Sequence, residues 1–131
     1  MLFRSQELKP SGLPTVMLVD DEAQFLDAVR HELEESYRLY TAASADEADV
    51  LLASRHYDAI VCDHMLPGEQ GLDFLMRAAE LVPSTRRILM TGYTNPEFIS
   101  RSMAIAGLAA CLVKPVKASQ ISDAIKAALE S

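Results

Sequence analysis

Four short stretches of this sequence place reactive side chains directly after runs of apolar residues. Asp20-Asp21-Glu22 follows Thr15-Val16-Met17-Leu18-Val19, Asp63 ends Ala59-Ile60-Val61-Cys62, Thr91-Gly92 follows Ile88-Leu89-Met90, and Lys114-Pro115 follows Ala110-Cys111-Leu112-Val113. Taken singly, each has a plain structural use: Asp20 or Asp21 would cap a helix, Thr91 would serve nearby backbone, and Lys114 would be a solvated charge. Asp63 fits such a use less well, because an ionised carboxylate at the end of an apolar run is costly without a partner. Taken together, the three aspartates repel one another, so a proton is retained or a cation is bound. A divalent ion and Lys114 would together neutralise them. All-oxygen ligands of this kind suit Mg²⁺, which keeps several waters and binds through one or two carboxylates plus phosphate oxygens. With Asp63 as nucleophile, Thr91 as hydroxyl donor and Lys114 as ammonium, the chemistry that fits is phosphoryl transfer to a carboxylate.

Such a set works only if the fold brings the ends of its apolar runs to one edge. The pattern predicts that it does. Thr15 to Val19 is a β-favouring run, and Phe25, Val29 and Leu33 behind it have helical spacing. Leu39 to Ala42 is a second strand; Ser44-Ala45-Asp46-Glu47 has capping-box spacing, with Ala48, Leu51 and Leu52 as the buried stripe. Ala59 to Asp63 is a third strand, followed by Pro67, Gly68 and Gly71 as turn residues and a helix marked by Leu72, Leu75, Ala79 and Val82. Ile88 to Met90 is a fourth strand, and Asn95-Pro96-Glu97 opens a helix that Gly107 ends. Ala110 to Val113 is the fifth strand, and Ile121, Ala124, Ile125 and Ala128 give the last helix. Strands that alternate with helices are parallel, and strands that are apolar throughout are covered on both faces. The fold expected is α/β: a doubly wound, flavodoxin-like three-layer sandwich of five helices and a five-stranded parallel sheet of order 2-1-3-4-5, with ligands beyond the carboxyl ends of the strands.

Composition bounds the function further. The 131 residues suit one domain, expected over residues 15–131 behind a tail of residues 1–14 that carries Pro10, Gly12 and Pro14 without a sustained period. With 50% hydrophobic and 24% charged residues, the chain can bury a core, which excludes disorder and collagen-like classes. A net charge of −7 makes direct nucleic-acid binding by this domain improbable, because that affinity rests on Lys and Arg. No run approaches the roughly eighteen apolar residues of a membrane span, and the start Met1-Leu2-Phe3-Arg4 lacks the features of a signal peptide, so a soluble, cytoplasmic protein with no membrane partner is expected. Cys62 and Cys111 lie in apolar runs and are expected to be buried, reduced thiols.

From about Thr15 to Leu129 the chain resembles the receiver domain of two-component response regulators, the CheY-like superfamily. The resemblance rests on Val19-Asp20-Asp21-Glu22, on Asp63-His64-Met65-Leu66-Pro67-Gly68 with Gly71 after it, on Met90-Thr91-Gly92 and on Lys114-Pro115, four motifs in order and in register. It implies a phosphoacceptor rather than an enzyme, with Asp63 receiving phosphate from a sensor histidine kinase or histidine phosphotransfer protein. It further implies Mg²⁺ held by Asp21, Asp63 and the backbone carbonyl of Met65, with Asp20 acting mainly through water. Thr91 would bond the phosphoryl oxygen, Lys114 would pair with the phosphorylated Asp63, and the Lys114-Pro115 bond would be cis. The output implied is a surface of the fourth helix, fifth strand and fifth helix, carrying Arg101, Asp123 and Lys126. It would be read by an output domain, a downstream protein or a second copy in a phosphorylation-dependent homodimer. Since the strand-helix units use nearly all of the chain, that output is expected to pass through a surface contact.

The sequence departs from the family at one place: three residues before the lysine, where the family usually has Tyr or Phe, stands Cys111. Either it fills the core or the usual threonine-aromatic coupling is altered. Tyr93 is a candidate substitute or an ordinary surface tyrosine, and His64 is expected to be an exposed loop side chain unless it leans over the phosphoryl group. Three other readings stay in view. A Mg²⁺-dependent phosphatase with an aspartyl nucleophile would want a second acid at position 65, which is Met65; a flavin-phosphate binder would want Ser, Thr and Gly where Asp20-Asp21-Glu22 stands. A receiver acting without phosphate would not need the intact set.

Overall fold

The computed structural model describes residues 12–130, so residues 1–11 of the expected tail lie outside the described residues. Strands and helices alternate as β1 (Thr15–Val19), α1 (Ala23–Leu33), β2 (Arg38–Ala42), α2 (Ala45–Ser54), β3 (Ala59–Asp63), α3 (Gly71–Leu81), β4 (Arg86–Thr91), α4 (Pro96–Ala106), β5 (Ala110–Val113) and α5 (Ala118–Glu130). The sheet order is β2-β1-β3-β4-β5 with every pair parallel, which is the doubly wound arrangement expected. The order reverses between β1 and β3, and there the connections leave on opposite faces and open a crevice at the carboxyl ends.

Continuous apolar strands serve two cores by alternation. Val16 and Leu18 of β1, Ala59 and Val61 of β3, and Ile88 and Met90 of β4 pack with Val29 and Leu33 of α1 and Ile121, Ile125 and Ala128 of α5. Met17, Val19, Ile60, Cys62 and Leu89 point to the other face and pack with Ala48 of α2, Phe74, Leu75 and Ala78 of α3 and Ala106 of α4. The helical stripe of α3 is therefore Leu72, Phe74, Leu75 and Ala78; Ala79 and Val82 of the expected stripe are only half-buried. Among the described residues no helix is long and apolar enough to cross a membrane.

Local chemistry sets the helix ends. Ser44 Oγ accepts the Glu47 N–H at 3.2 Å, as the capping-box spacing predicts, while Glu47 Oε1 reaches one residue further back than in that box, to the Ala43 N–H at 2.8 Å. Asn95 caps α4 through the Glu97 N–H at 2.8 Å with Pro96 at the first position, and Gly107 ends the helix in the left-handed region at φ 57°. The fourth strand is longer than its apolar centre suggested, because it takes in Arg86 and Arg87. Arg87 is only 9% exposed, and its guanidinium donates to the carbonyls of Ala106 (2.9 Å), Gly107 (3.1 Å) and Thr85 (2.7 Å). It thus satisfies the last carbonyls of α4 with a cation, which also suits the negative end of the helix dipole.

Replacing Arg87 by Met should keep the volume and lose those charge-assisted bonds. We expect a loss of about 1.5–3 kcal/mol in unfolding free energy, read as a lower urea midpoint at unchanged slope.

Candidate functional site

The register of the sheet brings the reactive residues together. Val19 lies opposite Cys62, so the next residue on each strand, Asp20 and Asp63, leaves adjacent strands side by side. Thr91 lies opposite Val113, and the Lys114 N–H donates to the Thr91 carbonyl at 2.8 Å. Thr91 is fully buried and its Oγ1 accepts the Tyr93 N–H at 3.0 Å, so its hydroxyl does serve backbone. Lys114 Nζ sits 3.0 Å from Asp63 Oδ1 and 3.8 Å from Asp20 Oδ2. The Lys114-Pro115 bond is cis. A cleft of about 410 Å³ opens beside the lysine, lined by Glu22, Phe25, Pro115 and Val116.

Burial sets the electrostatics. Asp20 is 0% exposed and Asp63 4%, whereas Asp21 is exposed. Loss of water raises the Asp20 carboxyl above its ordinary value; the Glu22 N–H on its Oδ1 works the other way, and Asp63 adds to the rise. Burial works against the Lys114 ammonium too, but the neighbouring Asp63, with Asp20 and Glu22, outweighs it and shifts the lysine upward. Ligand oxygens of Asp20, Asp21 and Asp63 lie within 4.8 Å of one another. One ammonium cannot balance three carboxylates, and Asp20 Oδ2 is buried without a hydrogen bond. An all-oxygen, anionic set with an unsatisfied buried oxygen fits a hard divalent cation such as Mg²⁺. The remaining residue of the expected metal set, Met65, lies two positions past β3, bridged to Gln70, with its side chain 62% exposed.

Four sequence expectations change here. His64 is not an exposed loop side chain: it is 2% exposed, with its ring edge-on to Tyr93 (5.6 Å between centroids) and Phe98 (5.2 Å). Burial holds its imidazole below the ordinary value, against Asp63 and Asp73. Cys62 is fully buried and unpaired as expected, but Cys111 is only half-buried because β5 is an edge strand. Gly71 is more than turn punctuation. It begins α3 beneath the end of β3, its N–H donates to the His64 carbonyl at 2.8 Å, and a Cβ there would overlap the Asp63 carbonyl and lie 2.9 Å from Cys62 Sγ. Only a residue without a side chain lets α3 pack so close under Asp63. Gly68 is the true turn glycine, at φ 81°. Capping of α1 by Asp20 or Asp21 is also not found: Glu22 holds the cap position without a side-chain bond.

Comparison with known proteins agrees with this fold. A family profile described as response regulator receiver domain matches residues 16–126. Over 89% of its length the chain is 38% identical to the hydrogenase transcriptional regulatory protein HoxA of Cupriavidus necator, of which it covers 24%. The chain spans about a quarter of the length of HoxA and of other curated regulators that it matches. Among solved structures it is similar to a CheY-like response regulator receiver domain protein from Methanospirillum hungatei JF-1, with a TM-score of 0.83 at 31% identity, covering 90% of this chain and 94% of that one. It is likewise similar to the signal receiver domain of an HD domain-containing protein from Pseudomonas fluorescens Pf-5, with a TM-score of 0.82 at 32% identity, covering 90% and 95%.

A cation that relieves the repulsion among Asp20, Asp21 and Asp63 binds only the folded chain, so Mg²⁺ should raise the urea midpoint. At ten times its Kd the gain would be about 1.4 kcal/mol. Asp63→Asn and Asp21→Asn should remove the gain, and Asp123→Asn, an exposed change on α5, should leave it intact.

Proposed function

The chain belongs to the response regulator receiver domain family, and from that membership we propose that Asp63 accepts a phosphoryl group from a sensor histidine kinase or a histidine phosphotransfer protein. The observation that carries this reading is the nearly buried Asp63 carboxylate 3.0 Å from Lys114 Nζ within a cluster of three aspartates. In the transfer, an oxygen of the Asp63 carboxylate bonds to phosphorus as the bond from phosphorus to the donor breaks. The electron pair leaves with the donor, as acetate from acetyl phosphate or as the imidazole nitrogen of phosphohistidine, which then takes a proton.

Asp20, Asp21, Asp63 and the backbone carbonyl of Met65 would hold Mg²⁺, with Asp20 acting mainly through water. When bound, the ion supplies positive charge against the phosphoryl oxygens. The chain's own residues do the rest. Lys114 offers a second positive charge next to the attacking carboxylate, and the Thr91 hydroxyl can donate to a phosphoryl oxygen while still accepting the Tyr93 N–H. The acid at position 65 that an aspartyl-nucleophile phosphatase would use is replaced by Met65, which favours a phosphoacceptor over a hydrolase.

Phosphorylation changes the charge on Asp63 from −1 to about −1.5 to −2. Drawing Thr91 and Lys114 toward it biases the β4-α4 loop, α4, β5 and α5 toward a second arrangement. A shift from 1:99 to 99:1 takes about 5.5 kcal/mol, which a few charge-assisted contacts supply. The surface so switched carries the exposed Arg101, Asp123 and Lys126 for partner choice, and its readers would be an output domain, a downstream protein or a second copy. Cys111 has no ring to follow Thr91, so the usual threonine-aromatic coupling is altered in this chain. We place the domain over residues 15–131.

Incubation with acetyl phosphate and Mg²⁺, followed by intact mass, should show the gain of one phosphoryl group. Asp63→Asn and chelation of the metal should each abolish it, and Lys114→Ala should slow it. A wild-type chain that gains no mass would overturn the proposal.

A further inference from the structure

Two links run from the carboxyl ends of β3 and β4 to the first turn of α4, and they meet in one cluster of rings. His64 follows Asp63 directly. Its backbone is fixed on both sides, its N–H donating to the Met90 carbonyl and its carbonyl accepting the Gly71 N–H, each at 2.8 Å. Its side chain is 2% exposed and meets Tyr93 and Phe98 edge-on at 5.6 and 5.2 Å. Tyr93 and Phe98 in turn meet each other edge-on at 4.9 Å with an interplanar angle of 81°. Phe98 belongs to the first turn of α4, beside the Asn95 cap and Pro96. The second link is Thr91, whose fully buried Oγ1 holds the backbone N–H of Tyr93 at 3.0 Å.

These links close on one another: His64 meets Tyr93 through their rings, Tyr93 meets Thr91 through a hydrogen bond, and Met90, the residue before Thr91, accepts the His64 N–H beside Asp63. The His64 ring is the fixed part, because it is buried and its backbone is hydrogen-bonded to β4 on one side and to the start of α3 on the other. Tyr93 is the movable part, since its side chain is 48% exposed and no side-chain hydrogen bond holds it among those found in the described residues. Cys111, the position on β5 opposite Leu89, contributes no ring to this region.

Resting on the reading of Asp63 as phosphoacceptor and Thr91 as the hydroxyl that turns to the phosphoryl group, we propose that the His64-Tyr93-Phe98 cluster couples the state of Asp63 to the position of the first turn of α4, with Tyr93 as the moving ring. When Thr91 is drawn toward Asp63, the Tyr93 N–H goes with its oxygen. The Tyr93 ring slides inward over His64, loses exposure and carries Phe98 and the start of α4 with it. Aromatic rings in edge contact keep a small set of arrangements, and a packed cluster of three responds by repacking as a unit. The partner surface next to α4 then differs between the two states by the presence or withdrawal of an exposed tyrosine ring.

The test uses the full chain with 3-fluorotyrosine, observing ¹⁹F and amide resonances with and without acetyl phosphate and Mg²⁺, while intact mass reports phosphorylation independently. Tyr93→Phe assigns the Tyr93 signal among the four tyrosines. In the wild type that signal should shift and its sensitivity to a dissolved paramagnetic probe should fall at least two-fold on phosphorylation. Tyr93→Ala, a change at a half-exposed side chain that keeps the backbone N–H, should gain the same mass yet lose more than half of the amide shifts over residues 97–106. Phe98→Leu should do likewise. Full α4 shifts in both phosphorylated variants would overturn the coupling, as would an unchanged Tyr93 signal in phosphorylated wild type. A wild type that gains no mass would instead overturn the phosphoacceptor reading.

Discussion

Asp20 and Asp63 leave neighbouring strands side by side, almost out of contact with water, and share one ammonium, Lys114. Water no longer screens their repulsion, and each carboxylate has given up much of its hydration. Two groups oppose that repulsion: Lys114 comes from the end of β5, and the Glu22 N–H comes from the entry to α1. Asp21, exposed beside them, completes an acidic set that could hold a cation. A site built this way stores unfavourable electrostatics in its resting form. It therefore favours ligands that bring positive charge and responds strongly to a change in charge on Asp63.

The supporting structure keeps that site from relaxing. Parallel register fixes which residues leave the sheet together, so Asp63 cannot drift from Asp20 without breaking the β1-β3 ladder. Gly71 lets α3 begin directly beneath the Asp63 carbonyl. The two cores that cover the sheet draw on alternate residues of the same strands, and repacking one face would disturb the other. The β4-α4 loop is the exposed segment beside the site: residues 92–97 follow the buried Thr91 and precede the half-buried Phe98. Buried acids beside an exposed loop suit the proposed coupling, in which a charge change at Asp63 moves the start of α4.

Arg87 shows how the fold positions that moving part. Its guanidinium ties the carboxyl end of α4 to the start of β4, on the opposite side of the sheet edge from Asp63. With those carbonyls held at one end of α4, the coupling proposed for the His64 ring cluster would act at the other end, on the first turn of the helix.

The order of elements, the parallel sheet and the acidic set were legible in the sequence, because they rest on local rules. Apolar runs without alternation mean strands covered on both faces, the Ser44 and Asn95 caps and Gly107 mark helix ends, and carboxylates after strands of a parallel sheet must gather at one edge. Four motifs in register also carried the family. What only the tertiary structure decided are contacts between residues far apart in the chain. His64 stands between Asp63 and Met65 with no periodicity to mark it as buried; its burial comes from Tyr93 and Phe98, about thirty residues on, folding over it. Gly71 reads as a turn residue until α3 is seen beneath Asp63. Arg87 reads as a surface charge until the carbonyls at the end of α4 are seen around it. Cys111 reads as core until β5 is seen at the edge of the sheet. In each case the sequence fixes what a side chain can do, and the packing of distant elements fixes whether water or protein surrounds it.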